Sequence, residues 1–333
     1  MRAVTITDGN LQWTEHPDPE PEAGELLVAV RAAGLNAGDL LQLAGHYPAP
    51  AGSPADIPGL ELAGEVLAVG TGVQRYAVGD RVMAVVGGGA QAERAVVHES
   101  CALPVPDTLD WAGAGGFPEA FTTAHDAVFT QAGLAVGETL CVHGAAGGVG
   151  VAAVQLGVAT GAHVVATVRN PDLRDRVAEL GATVVAPERF AAHGPFDVVL
   201  ELIGGPNLRD DVRALSIGGR ITVIGVGAGP ESPARAGPSA SCPRGTCAAR
   251  IDVRGAPGAL DAPDAADAPE PANASRDSTG SASHASGAIG APGGRLIRDS
   301  TSRQCGTCAC AWSSSTPSWR SCIRSMSAGG HHW

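Results

Sequence analysis

A glycine-rich turn near the middle of the chain has the residue types and spacing of a phosphate-binding loop. The pattern Ala145-x-Gly147-x-x-Gly150 follows an apolar run that starts at Thr139, and an apolar, proline-free stretch continues to about Leu156. This order predicts a strand, a tight turn and then a helix. Gly147 has no Cβ and so lets the backbone approach a pyrophosphate, and Gly150 lets the helix lie close to the strand.

The start of the predicted helix is therefore the first candidate binding site. Its free N–H groups and the positive end of its dipole would point at phosphate oxygens. The residues predicted to contact a dinucleotide there are Ala145, Ala146, Gly147, Gly148, Val149 and Gly150. Because alanine replaces the first glycine of the general G-x-G-x-x-G pattern, a plain strand–helix turn without a ligand is the alternative.

The bulk composition narrows the function classes. The chain has 333 residues, which is enough for two domains with their own cores, and a formal net charge of −12. That charge argues against a nucleic-acid or anionic-membrane partner. The N-terminus has no apolar leader segment, and no run approaches the ~18 apolar residues of a membrane span. We therefore expect a cytoplasmic protein.

The chain changes character twice along its length. Up to about residue 115 it consists of short β-rich segments between Gly/Pro turns, which predicts a small, closed or partly closed β domain. From residue 116 strands and helices alternate, which predicts a doubly wound parallel sheet of the α/β class. The predicted strands of the first part are residues 25–32, 62–69 and 81–86. Those of the second part begin at residue 139 and continue with 163–168, 183–185, 197–202 and 220–225, with a helix over 172–180.

Residues 229–333 form a different kind of sequence. They hold 8 acidic and 10 basic residues, against 26 and 12 in residues 1–228, and six of the eight cysteines. They show no sustained apolar period, so we predict that this tail is disordered. Its richness in Ala, Pro, Arg and Cys is typical of out-of-frame translation of GC-rich DNA, and we hypothesise a frameshift near residue 229.

The cysteines of the tail offer a second interpretation, in which they bind a metal. The candidate ligands are Cys305, Cys308, Cys310, Cys322, His331 and His332. Their spacing fits no common zinc module.

Five motifs in the first 228 residues together carry a family resemblance. They are Ala33-Gly34-Leu35-Asn36-x-x-Asp39, Gly45-x-Tyr47-Pro48, Ile57-Pro58-Gly59-Leu60-Glu61-x-x-Gly64, Val78-Gly79-Asp80-Arg81-Val82 and the glycine turn over residues 143–150. In this order they resemble the zinc-independent quinone oxidoreductase branch, which includes zeta-crystallin, of the medium-chain dehydrogenase/reductase superfamily.

The resemblance implies a two-domain oxidoreductase. A GroES-like β-barrel domain over residues 1–115 and a Rossmann domain over residues 116–228, truncated to five strands, would enclose the active site between them. It implies NADPH as hydride donor, a quinone or α,β-unsaturated carbonyl compound as acceptor, and a homodimer. Residues 229–333 match nothing in the family's sixth strand, which commonly forms the dimer edge, and this argues against the dimer here.

The resemblance also suggests which residues act. Asn36, Asp39 and Tyr47 match the polar residues that line the family's cleft, and Tyr47 is the candidate to hydrogen-bond the substrate oxygen or supply a proton. The alternatives are a packing role for Tyr47 and loop capping by Asn36 and Asp39. Thr123 matches a threonine near the nicotinamide, or else caps a helix.

Further cofactor contacts follow from strand ends. Gly225 and Val226 end the fifth predicted strand and should pass close to the nicotinamide, by the rule that ligands bind outside the carboxyl ends of parallel strands. Arg169, with Arg174 nearby, follows the second strand where NAD-specific proteins usually carry an acidic residue. An arginine there would pair with the 2′-phosphate of NADPH, unless Arg169 is only a solvated loop residue.

We predict no metal in the folded part. Leu60 occupies the position of a ligand histidine in zinc-dependent members, and Cys101 is the single cysteine of the first 140 residues. His143 and Cys141 are interpreted as structural. Two alternative functions stay open: a cofactor-binding family member that does not turn over, and an enoyl reductase acting on acyl thioesters.

Overall fold

This computed structural model describes residues 1–225 and 249–252. Their two large sheets differ in how neighbouring strands run. All of these residues belong to one compact unit. The first sheet is built by residues before 105 and is antiparallel, whereas the second follows residue 138 and is mostly parallel. None of the described helices is both long enough and apolar enough to cross a bilayer.

The N-terminal lobe is a β structure with one helix. Its elements are β1 (Arg2–Thr7), β2 (Asn10–Glu15), β3 (Glu25–Ala33), α1 (Ala37–Leu43), β4 (Glu61–Val69), β5 (Arg81–Val85), β6 (Arg94–His98) and β7 (Ala102–Pro104). Strands β1 and β2 form a hairpin, and the other five form an antiparallel sheet in the order β6-β3-β4-β5-β7. Alternate residues such as Leu26, Val28, Leu62 and Val82 are fully buried and form its core, as expected for strands with one buried face.

The C-terminal lobe alternates strands with helices. Its elements are α2 (Trp111–Gly115), α3 (Pro118–His125), a π-helical turn (Asp126–Gln131), β8 (Thr139–Val142), α4 (Gly148–Thr160), β9 (His163–Thr167), α5 (Arg174–Ala178), β10 (Thr183–Val185), β11 (Phe196–Glu201), α6 (Gly205–Ala214), β12 (Leu215–Val223) and β13 (Ala249–Asp252). Apolar residues of α3, α4 and the π-helical turn pack on one face of the sheet, and residues of α6 pack on the other.

The order of the second sheet is that of a Rossmann fold. The strands lie in the order β10-β9-β8-β11-β12-β13, and the first five are parallel to their neighbours. Counted from β8 the parallel strands read 3-2-1-4-5, so the order reverses between β8 and β11. The predicted fold class, a GroES-like β domain followed by a doubly wound α/β sheet, is confirmed. A crevice for a ligand is expected at the carboxyl ends of β8 and β11.

The sheet has one strand more than the sequence pattern indicated. We predicted five strands and a patternless tail from residue 229, but β13 pairs antiparallel with β12, with Ala249 opposite Val223 and Asp252 opposite Arg220. A four-residue edge strand is held by backbone hydrogen bonds and needs no apolar alternation, so periodicity does not reveal it. The other residues of the predicted tail lie outside the described part, as does Val226.

Gly150 should be required for packing α4 on β8. A Cβ at this position would lie 2.5 Å from the carbonyl oxygen of Gly144 and 2.6 Å from Cα of Ala145, whereas a Cβ at Gly148 would be 3.8 Å from its nearest neighbour, Ala120. Gly150→Ala is therefore expected to lower the free energy of unfolding by about 1–3 kcal/mol. Gly148→Ala, in the same helix, should change it by less than about 0.5 kcal/mol. Urea unfolding of both variants checks this; equal stabilities would contradict it.

Candidate active site and cofactor site

The glycine turn joins β8 to α4 at the carboxyl edge of the sheet. Gly144 has a φ of +68°, in the left-handed region, and the N–H of Ala145 donates to the carbonyl of Thr167 at the end of β9. Gly147 caps α4, and its carbonyl accepts from Val151 at 2.8 Å. The turn is thus fixed by backbone bonds to the neighbouring strand.

The turn leaves room for an anion at the start of α4. Gly147 and Gly148 are exposed, and a Cβ on Gly147 would meet one atom within 4 Å, the carbonyl oxygen of Gly144 at 3.5 Å. Protein packing therefore does not account for glycine at 147, as it does at 150. The first N–H groups of α4 have no acceptor within the helix and point out of its N-terminus. This arrangement fits a pyrophosphate.

The two predicted arginines lie together after β9. Nε of Arg174 donates to the carbonyl of Val168 at 3.0 Å, and Nη2 lies 3.4 Å from the carbonyl of Arg169. Arg174 thereby holds the loop, and the Arg169 side chain is exposed. The structure brings two guanidinium groups to the strand end where the ribose of a dinucleotide is expected.

Asn36 and Asp39 form the start of α1. The Asp39 carboxylate accepts the N–H of Asn36 at 2.8 Å, the N–H of Gly59 at 3.1 Å and Nε2 of Gln91 at 3.2 Å. The Asn36 side chain donates to Oε1 of Glu61 at 2.9 Å. The bond from the Asn36 N–H to Asp39 belongs to a capping box at the start of α1, and the contacts with Glu61 and Gly59 tie α1 to β4 and to the loop before it.

Glu61 connects the two lobes and was not among the predicted site residues. It is 2% exposed, and its Oε2 accepts the backbone N–H of Glu119 in α3 at 2.9 Å. Gly34 makes this possible, because a Cβ there would overlap the Glu61 carboxylate. Burial raises the pKa of Glu61, and the hydrogen bonds from Glu119 and Asn36 oppose the rise.

Glu119 is the second carboxyl of this group. Burial, followed by the negative charges of Glu61 and Asp39, raises the pKa of Glu119 to about 7, and a side-chain hydrogen bond with Thr123 opposes the rise. Two carboxyl groups next to each other in one partly buried space commonly share a proton. The buried Glu61 in the motif Gly59-Leu60-Glu61 was the available sequence signal, since glutamate at an apolar strand start is unusual.

Three further predicted residues, Tyr47, Thr123 and Gly225, lie in the described part of the chain. Tyr47 follows α1, is half-buried, and its hydroxyl has no hydrogen-bond partner within the described part of the chain. Thr123 lies inside α3, whose N-cap is Phe117, so Thr123 does not cap that helix. Gly225 approaches the β11 end so closely that a Cβ would overlap the Leu202 carbonyl. The structure does not bring Tyr47 into hydrogen-bonding contact with Asn36 or Asp39.

The residues that could bind a metal lie far in the sequence from Leu60, the position that we compared with a ligand histidine. Leu60 is buried at 6% exposure and offers no ligand atom. Across residues 1–225, one group of three possible ligands converges: His143, Glu201 and Asp211, whose ligand atoms lie within 4.8 Å of one another. Burial lowers the pKa of an imidazole, but the contacts with Asp211 and Cys141 outweigh it and raise the pKa of His143 to about 10.

Family models cover both lobes. The model described as "Alcohol dehydrogenase GroES-like domain" matches residues 22–131, and the model described as "Zinc-binding dehydrogenase" matches residues 148–256. An alcohol dehydrogenase superfamily protein from Novosphingobium aromaticivorans is 33% identical, with a TM-score of 0.64 over 70% of this chain and 75% of that one. The chain belongs to the medium-chain dehydrogenase/reductase superfamily. Its matched part is quinone-oxidoreductase-like, as the motifs predicted.

Three further superfamily matches bear on the activity. Rat quinone oxidoreductase is 33% identical over 219 residues, 62% of this chain and 66% of its own length. A mycobacterial protein solved in complex with NADPH has a TM-score of 0.63 at 28% identity, over 70% of this chain and 76% of its own. The polyketide synthase GfsB of Streptomyces halstedii is 40% identical over 210 residues, which are 61% of this chain and 4% of that protein. The chain thus spans less than two thirds of the length of the rat enzyme and of GfsB.

The pKa of Glu119 should make stability depend on pH. Because the folded-state pKa is raised from 4.5 to about 7, its contribution is fully present below pH 4.5 and is lost as the pH rises towards 7. Relative to Glu119→Gln, the wild-type chain is expected to lose up to about 3 kcal/mol of unfolding free energy over this range. Urea unfolding from pH 4.5 to 8 measures the difference. Glu179→Gln, which removes an exposed carboxylate, should instead run parallel to the wild type.

Proposed function

We propose that this chain is an NADPH-dependent oxidoreductase that transfers a hydride to a quinone or an α,β-unsaturated carbonyl compound, with no metal at the reacting carbon. The observation that carries the proposal is the open, unobstructed N-terminus of α4 at Gly147, with the Arg169 and Arg174 guanidinium groups after the next strand. A bound NADPH would supply the hydride, and the acceptor would gain a proton in addition. Quinone oxidoreductases among the relatives support this acceptor class.

We assign each part of the chain a task. Residues 1–115 form the acceptor side and residues 116–228 bind the nucleotide, through Ala145, Ala146, Gly147, Gly148, Val149, Gly150, Arg169, Arg174, Thr123, Gly225 and Val226. Helix dipole and backbone N–H groups hold the pyrophosphate. Arg169 holds the 2′-phosphate. Arg174 donates to the Val168 carbonyl and thereby keeps the loop that carries Arg169 in place.

The three predicted catalytic residues differ in whether their polar side-chain atoms already form hydrogen bonds. The Asp39 carboxylate accepts three hydrogen bonds and the Asn36 amide donates to Glu61, so both shape the wall of the cleft. The Tyr47 hydroxyl has no hydrogen-bond partner among the residues that the structure describes. We assign Tyr47 the donor that polarises the acceptor oxygen or protonates it.

A second candidate differs in the acceptor. It is an enoyl reductase acting on acyl thioesters, and the match to a polyketide synthase over 210 residues supports keeping it as a candidate. The hydride donor and the protein residues would be the same. Steady-state assays with a quinone, a simple enone and an enoyl-coenzyme A thioester separate the two candidates by their kcat/KM values.

Arg169 should determine the preference for NADPH over NADH. Loss of a charge-assisted hydrogen bond, worth about 1.5–3 kcal/mol, predicts that Arg169→Gln raises the Kd for NADPH by about 10–100-fold and leaves that for NADH unchanged. Fluorescence titration of the full-length chain measures both. Arg209→Gln, an exposed arginine on α6, is the matched control and should bind both nucleotides like the wild type. An equal loss for both nucleotides would remove Arg169 from the 2′-phosphate site.

Tyr47→Phe tests the proton donor. We expect kcat for enone reduction to fall on the order of 10²-fold while the Kd for NADPH is unchanged, because the phenol would act on the acceptor alone. Tyr76→Phe is the matched control, since the hydroxyl of this other tyrosine donates to the Ala102 carbonyl at 2.6 Å. Unchanged turnover in Tyr47→Phe would refute the assignment, and saturable NADPH binding without turnover of any acceptor would favour the non-catalytic alternative.

A further inference from the structure

A buried polar cluster lies beneath the carboxyl ends of three neighbouring strands, and the hydride-transfer proposal does not use it. It consists of His143 just after β8, Glu201 at the end of β11 and Asp211 in α6, with Cys141 on β8 and Thr167 on β9 beside it. His143, Glu201 and Asp211 are 1%, 0% and 0% exposed. Titratable groups buried this fully need partners that cancel their charge.

The strand geometry brings these side chains to one face of the sheet. Cys141 and His143 are two residues apart, so both point to the face that α6 covers. The register of β8 with β11 pairs Val142 with Leu200, and continuing it by one residue places His143 beside Glu201. Helix α6 then carries Asp211 over the pair, with its Oδ1 2.9 Å from Nε2 of His143.

The protein alone leaves this cluster incompletely satisfied. Two carboxylates against one imidazolium would leave a net negative charge in a space without solvent. Within the described residues Oδ2 of Asp211 has no hydrogen-bond partner, and Oδ1 faces Nε2 of His143 at 2.9 Å without the geometry of a full hydrogen bond, so the carboxylate is a buried acceptor aimed into the cluster. Nε2 of His143 faces both Asp211, at 2.9 Å, and the Cys141 sulfur, at 3.6 Å, and one hydrogen atom cannot serve both contacts well.

A divalent cation resolves all three mismatches. With a neutral imidazole it balances two carboxylates, and it accepts lone pairs from Nε2, from Asp211 and from Glu201 at the same time. The far ring nitrogen, Nδ1, lies 3.1 Å from the Thr167 hydroxyl, a contact that commonly orients a ligand histidine. Glu201 is likewise held by Gly204 N–H at 2.8 Å and by Asn207 at 3.0 Å.

We propose that His143, Glu201 and Asp211 bind one Zn²⁺ ion in the core of the Rossmann lobe, between the central strands and α6. The ligand atoms lie within 4.8 Å of one another, against about 3.3 Å between ligands of tetrahedral zinc, so small side-chain rotations close the site. A nitrogen ligand with a sulfur beside it favours zinc over magnesium, which prefers oxygen. Because the ligands are fully buried, the ion is structural and does not contact the acceptor.

Zinc stoichiometry of the full-length chain tests this site without any assay of hydride transfer. The untagged protein is treated with EDTA, desalted, loaded with Zn²⁺ alone and washed, and bound zinc is measured by mass spectrometry. The wild type is expected to hold one ion more per chain than Asp211→Asn and Glu201→Gln, and Zn²⁺ should raise its Tm but not theirs. Asp210→Asn, the exposed neighbour in α6, is the matched control and should retain the ion.

A second experiment asks whether the cysteines beyond residue 300 bind the zinc instead. A variant with Cys305, Cys308, Cys310 and Cys322 changed to Ser is expected to keep one zinc ion with the wild-type shift in Tm. Loss of all zinc in this variant, or equal zinc in the wild type and Asp211→Asn, would overturn the proposal. If the Asp211 and Glu201 variants fail to fold, the cysteine variant alone decides. NADPH binding that fails in all proteins while zinc stoichiometry follows the expected pattern would refute the hydride-transfer proposal only.

Discussion

The close approach of α4 to β8 at Gly150 is the constraint on which the nucleotide side of the molecule depends. A side chain there would collide with the backbone of Gly144 and Ala145. Because the helix lies against the turn, its N-terminus opens at the point where the strand order reverses between β8 and β11. The same contact leaves Gly147 and Gly148 exposed, so the helix dipole and the free N–H groups face the crevice.

Buried carboxyl groups hold the surroundings of this crevice together. Glu61 joins α1, β4 and α3 by accepting from Asn36 and from the backbone of Glu119, and so connects the antiparallel sheet to the first long helix of the Rossmann lobe. Glu201 plays a comparable part on the other lobe, because it accepts the backbone N–H groups of Ile203 and Gly204. In both places a buried carboxyl group accepts hydrogen bonds from backbone N–H groups, which satisfies donors that lie near the protein interior.

The Gly150 contact and the buried carboxyl groups are both parts of the scaffold and not groups that would react with the acceptor. On the proposed function, backbone N–H groups and the helix dipole would position the dinucleotide, and a few side chains would act on the acceptor. Asn36 and Asp39, which the proposal places in the wall of the cleft, also fix α1 and the loop at Gly59 through their hydrogen bonds. Among the three proposed catalytic residues, Tyr47 is the one whose polar atom has no hydrogen-bond partner within residues 1–225, which is why we propose it as the group that acts on the acceptor.

Local sequence determined the fold class and the glycine turn of this protein, whereas tertiary contacts decided where the buried polar side chains meet. Strand and helix periodicity, and the glycines at 147 and 150, act within a few residues of each other, so the alternation of strands and helices and the start of α4 were predictable. Strand β13 was not, because an edge strand is held by the backbone of its partner rather than by its own pattern. Glu61 with Glu119, and His143 with Glu201 and Asp211, are separated by about 58 residues or more along the chain and meet through sheet register and helix packing alone.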